Sequence, residues 1–163
     1  MPHLMRIGIA HYQFEAIHPF LDGNGRIGRL LITLYLITQK VLAKPTLYLS
    51  GFIEKNRQHY YNNFMAVSLN NNIEQWLKFF LVGVIETAKT AIDTFTKIIA
   101  LKDKLEKDTI ISLGKRLPNA RLLLIYLYSK PVVTVSDVMT NLNVTKQTAN
   151  ALIKDFDNLG ILK

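Results

Sequence analysis

Apolar positions recur at intervals of three and four along most of this chain, and the breaks between those runs fall at Pro, Gly and Asn. Leu4, Ile7, His11, Phe14 and Ile17 fall on one face of a predicted helix that Pro19 stops. Ile27, Leu30, Leu31, Leu34 and Ile37 mark a second helix, opening near Asn24, whose side chain suits an N-cap. The stretch "PFLDGNG" between them is a loop by its turn-forming residues, and "AKPTLYLS" is a connector. Helical periodicity returns over Phe52–Ala66 and, after "NNN", over Ile73–Leu105. Leu101–Asn119 is charged and carries Gly114 and Pro118, which reads as a hinge. Beyond Pro118 come a helix in "NARLLLIYLYSK", a short extended piece and helix in "PVVTVSDVMTNLN", and a last helix ending at Gly160. Two short helices joined by "NLNVTKQ" suit a helix-turn-helix with Val138, Leu142, Val144, Ala149, Leu152, Ile153 and Phe156 as its core. The closing "LGIL" reads as the first strand of a wing without its partner strand. The expected fold is mainly α, with one unit over 1–105, a linker at 106–118 and a smaller winged-helix-like unit at 119–163.

At 163 residues, 49% apolar and 20% charged, the chain has the composition and length of a globular protein able to bury a core. Arg29, Gln39, Lys40 and Lys44 interrupt the most apolar region, so no run reaches the length of a membrane span. The N-terminus lacks the order of a secretory signal. The absence of cysteine excludes disulfides and thiolate metal sites and fits a cytoplasmic location. A net charge of +8 favours polyanionic partners, nucleotides or nucleic acid. Met1–Ala100 and Leu101–Lys163 each carry ten basic and six acidic residues, so positive charge is denser in the shorter segment.

The chemistry concentrates in "HPFLDGNGRIGR", His18–Arg29. Gly23–Gly28 is formally a G-x-G-x-x-G dinucleotide fingerprint, but no strand-like run precedes it and Tyr48 stands where an acidic residue would bind a ribose. The physical alternative is an anion cradle at a helix mouth, where unpaired N–H groups and the positive dipole end favour phosphate. Gly23 and Gly25 let the backbone approach closely, and Asn24 can cap the helix or donate to a phosphate oxygen. Arg26 and Arg29 share a helix face and can grip adjacent phosphates. Asp22 can hold a hard divalent cation such as Mg²⁺ on those phosphates, and His18 can accept a proton near neutral pH. His3, His11 and His59 lack such company and read as structural or surface residues.

This constellation resembles the signature of the Fic family, H-P-F-x-[DE]-G-N-G-R-x-x-R, with every fixed position filled. The resemblance extends through "HYQFEAIHPF" upstream and "RQHYYNNF" downstream, and looks most like the bacterial Fic proteins that carry a C-terminal winged helix. It implies transfer of AMP from ATP to a Ser, Thr or Tyr hydroxyl of a target protein. In that reading His18 is the base, Asp22 holds Mg²⁺, and Gly23, Asn24 and Gly25 line the anion hole. Arg26 and Arg29 neutralise the leaving pyrophosphate and reach the terminal phosphate. Tyr60 matches a family tyrosine near the nucleotide, though Tyr60 and Tyr61 also read as helix packing.

Two departures qualify the expectation. Only 17 residues precede His18, too few for the helices and target-aligning β-hairpin flap of the family, and no [ST]-x-x-x-E-[GN] inhibitory motif occurs. The chain is therefore expected to be a fragment with exposed apolar surface, prone to self-association as a homodimer or to completion by a partner. An alternative function is DNA binding or protein docking through the C-terminal unit. Thr145, Lys146, Gln147, Thr148, Asn150 and Lys154 suit phosphate and base edges, against which Asp155 and Asp157 weigh.

Overall fold

The computed structural model describes all residues 1–163. It is mainly helical and contains no strand, in the order α1 (His3–Ile17), α2 (Asn24–Thr38), α3 (Ser50–Lys55), α4 (Arg57–Asn70), α5 (Ile73–Lys104), α6 (Leu117–Ser129), α7 (Val135–Leu142) and α8 (Lys146–Asn158). Between α5 and α6 the backbone continues as a π-helical turn at Leu105–Thr109 and a 3₁₀ stretch at Ile110–Arg116. The chain divides into two compact units, Met1–Phe95 and Thr96–Lys163.

The first unit packs around Trp76, whose side chain is fully buried. Ile7, Ile32, Leu36, Tyr60, Leu77 and Phe80 surround it. The Trp76 indole N–H donates to the Gly8 carbonyl at 2.9 Å, so the polar edge of this large ring is satisfied inside the core. Gly8 permits that approach, because a Cβ there would meet Phe80 Cδ1 at 2.9 Å. The single helix expected over Phe52–Ala66 is two helices. Asn56 leaves helical geometry at φ −111° and its side-chain amide donates to the Phe52 carbonyl, ending α3 before α4 begins. Leu30, Leu34, Val82 and Ile85 remain exposed.

In the second unit Ile110, Ala120, Leu123, Val138, Ala149, Leu152 and Phe156 are fully buried. The expected hinge at 106–118 is helical and contributes Ile110 to this core, with Leu113 and Leu117 packed against it. Its one sharp break is Gly114, at φ 51° and ψ −115°. Thr134 and Asp137 form a capping box that opens α7, and Asn143 closes it in the left-handed region at φ 51°. No wing strand forms from "LGIL". Gly160 turns left-handed at φ 68°, Ile161 N–H returns to the Phe156 carbonyl at 2.8 Å, and Ile161 and Leu162 pack onto the core.

Candidate active site

The loop between α1 and α2 is built by two residues in the left-handed region. His18 ends α1 at φ 51° and its N–H donates to the Phe14 carbonyl at 3.0 Å. Gly23 precedes α2 at φ 83°, a conformation costly for any residue with a Cβ. Gly23 is thus the N-cap rather than Asn24, and no side chain caps this helix. Asn24 is buried instead, only 2% exposed. Its Oδ1 accepts from Phe20 N–H at 2.9 Å and its Nδ2 donates to the Phe20 carbonyl, so both ends of the amide brace the loop. That bracing takes up one of the two Nδ2 hydrogens of the amide that the motif offers to a phosphate oxygen.

Asp22 and Arg26 lie on the outer side of the same loop. Asp22 accepts from Gly23 N–H at 2.7 Å and from Arg26 Nη2 at 3.3 Å, with both side chains largely exposed. Such an exposed pair contributes at most about 1 kcal/mol and yields readily to a stronger ligand. His18 is exposed, and its Nδ1 lies 3.4 Å from the Glu15 carbonyl. A carbonyl can only accept, so in this contact Nδ1 is the donor, and Nε2 is the ring nitrogen not engaged by it.

A cleft of about 450 Å³ joins these elements to α3 and α4. Of the motif it is lined by His18, Gly25 and Arg29, and from elsewhere by Glu15, Ser50, Glu54, Arg57, Tyr60 and Tyr61. A Cβ at Gly25 would meet Arg29 Nη1 at 3.1 Å, so this glycine leaves room for the guanidinium as well as for a ligand. Arg29 also borders a smaller hollow of about 330 Å³, where Arg26 joins it beside Thr33 and Ser50. The two arginines therefore converge at one edge, while Asp22, Gly23 and Asn24 lie outside both linings. Arg57 sits 5.8 Å from the Tyr61 ring centroid, adding a cation to the wall opposite the motif.

Tyr60 is 7% exposed and its hydroxyl shares a 3.0 Å hydrogen bond with His11 Nε2. His11 is stacked on Trp76 with centroids 6.0 Å apart. Burial lowers the His11 pKa to about 4 despite the neighbouring Gly28 backbone, so the ring is neutral at pH 7. Tyr60 therefore packs in the core and also lines the cleft. Glu15 stands one turn before His18, and burial raises its carboxyl pKa while Arg29 and His18 oppose the rise. Its Oε1 is buried without a hydrogen-bond partner, against the α-carbon of Gly28. Glu15 was legible in principle, since a residue three before His18 shares its helix face. Arg57 and Tyr61 carried only the signal of standing beside Tyr60.

The sequence of this segment is similar to that of known proteins. Residues 1–36 match the Fic/DOC family. Over 71 residues, 44% of this chain, the sequence is 34% identical to proteins named "Protein adenylyltransferase Fic" from Aedes aegypti and Culex quinquefasciatus. A protein of the same name from Drosophila yakuba is 32% identical over the same length. The aligned part spans 13% of each of these relatives. The Fic resemblance read from the motif is thereby shown for the segment that carries it. These relatives are insect proteins, whereas the motif and its surroundings pointed to a bacterial group.

Proposed function

We propose that this chain carries the nucleotide-transfer centre of a Fic-type protein adenylyltransferase, moving AMP from ATP to a Ser, Thr or Tyr hydroxyl of a target protein. The observation that carries the reading is the cleft that gathers His18, Gly25 and Arg29 from the motif with Tyr60 and Arg57 from α4. Its volume of about 450 Å³ is ample for a nucleotide.

In this mechanism the Nε2 atom of His18 takes the proton of the target hydroxyl as its oxygen bonds to the α-phosphorus. The bond from the α-phosphorus to the bridging oxygen breaks, and pyrophosphate leaves with the electron pair. Arg29, and Arg26 once released from Asp22, neutralise the charge that develops on the leaving group. The N–H groups of the first turn of α2 face the same charge. Asp22 is the one carboxylate of the loop, and it is exposed, held only by Gly23 N–H and Arg26. It is the residue that would hold a Mg²⁺ ion against the phosphates. When bound, Mg²⁺ supplies further neutralisation of the triphosphate.

The test is to incubate the purified chain with Mg²⁺ and α-labelled ATP and follow label on itself and on lysate proteins, with ATP binding measured by calorimetry. His18→Ala should abolish label while leaving ATP affinity within about threefold. Label that persists in His18→Ala, or wild-type protein that neither binds ATP nor transfers label, refutes the assignment.

A further inference from the structure

We propose that the second unit, Thr96–Lys163, binds duplex DNA through the outward face of α8. This inference stands apart from the transferase reading and uses none of its residues.

α7 and α8 are joined by only Asn143, Val144 and Thr145, and each helix has its own side-chain cap, so the angle between them is set by local chemistry. α8 turns Ala149, Leu152 and Phe156 into the core, each fully buried. Lys146, Gln147, Asn150 and Lys154 are exposed on the other side. At roughly 100° per residue these four fall within about a quarter of the helix circumference. Asn and Gln amides match the adenine edge in the major groove, and Lys matches guanine or a phosphate. Thr145 and Thr148 do not belong to this set, because their hydroxyls bond each other at 3.0 Å and close the cap.

Charge favours a polyanion. The unit carries eleven Lys and Arg against six Asp and Glu. Four of the acids are already held by cations: Asp103 by Lys107, Glu106 by Lys102, Asp137 by Lys130 and Asp155 by Arg116. The Asp155 pair is close, at 2.6 Å, with the carboxylate mostly buried. Asp155, which in the sequence argues against a phosphate backbone, is therefore neutralised and directed away from the outer face. Asp157 is exposed on the same side of α8 as Lys146 and Lys154, but it stands in the last turn of the helix, farther from the N-terminal end that enters a groove in helix-turn-helix proteins.

The experiment titrates the full chain against a labelled mixed-sequence 30-bp duplex by fluorescence anisotropy between 50 and 200 mM KCl. Wild type should bind, with affinity falling steeply as salt rises. At about 0.9 in log–log slope per phosphate contact, the Lys146→Ala/Lys154→Ala double variant should lose about 2 units of slope and bind at least tenfold more weakly. Lys40→Ala/Lys44→Ala, which removes the same charge from the first unit, should leave slope and affinity unchanged. Circular dichroism establishes that both variants are folded. No binding at about 100 µM protein in 50 mM salt overturns the proposal. So does equal weakening by both double variants, which would mean diffuse attraction, or displacement of the duplex by equimolar poly-glutamate, which would assign the face to an acidic protein.

Discussion

Two glycines in helices of the first unit give opposite predictions for the same substitution. A Cβ at Gly28 would collide with the Glu15 carboxylate and meet His11 Cε1 at 3.1 Å, whereas one at Gly51 would meet nothing within 4 Å. Glycine-to-alanine in a helix gains up to about 1 kcal/mol where space is free. Gly51→Ala should therefore stabilise by several tenths to about 1 kcal/mol. At Gly28 the same gain is opposed by overpacking, which costs about 1–3 kcal/mol. Glu15 can swing into the cleft, but His11 cannot withdraw, because Tyr60 holds its Nε2 and Trp76 stacks on its ring. The net for Gly28→Ala is a loss of up to about 2 kcal/mol, or about 4–8 °C in Tm per kcal/mol for a unit of this size. The chain has a single tryptophan, Trp76, buried in this unit, so its fluorescence reports the transition directly. If Gly28→Ala raises the midpoint as Gly51→Ala does, the close approach of α1 and α2 is not a constraint and the placement of Glu15 and His11 is wrong.

Three further outcomes follow from the same geometry. Because the folded pKa of His11 lies near 4, below the ordinary 6.5, protonation favours the unfolded chain. Its contribution is fully present above pH 6.5 and is lost as pH falls toward 4, by about 3 kcal/mol in all, so urea midpoints of wild type and His11→Gln should diverge in slope over that window. The raised carboxyl of Glu15 acts in the opposite sense, and the comparison between variants removes it. Arg29→Ala should weaken ATP binding by at least tenfold and AMP binding much less; calorimetry showing equal losses would move Arg29 away from the terminal phosphates. Thr134→Ala, which deletes the cap that accepts from Asp137 N–H, should cost unit two about 1 kcal/mol, read from loss of helical circular dichroism with urea.

Periodicity is enough for α1, α2, the long α5 and the C-terminal trio, because each buries one stripe against a core and that stripe is written at intervals of three and four. It fails where a single side chain decides the outcome. Nothing in the spacing of Phe52–Ala66 distinguishes one helix from two, since the break rests on Asn56 turning its amide back on Phe52. The hinge segment shows a related limit: charge, Gly114 and Pro118 mark it as a connection between units, but nothing in that pattern announces that Ile110 is fully buried in the second core. In the site, the motif names residue types whose chemistry is local, and the loop and its mouth are legible from them. The far wall is not, because Arg57, Tyr61 and Glu54 reach the cleft only through the packing of α3 and α4. His11 shows the limit most clearly. In the sequence it is one apolar-face histidine without partners. In the fold it is the neutral post that fixes Tyr60 at the cleft and holds α1 against Gly28, so the geometry of the cleft wall depends on a residue that does not itself line the cleft.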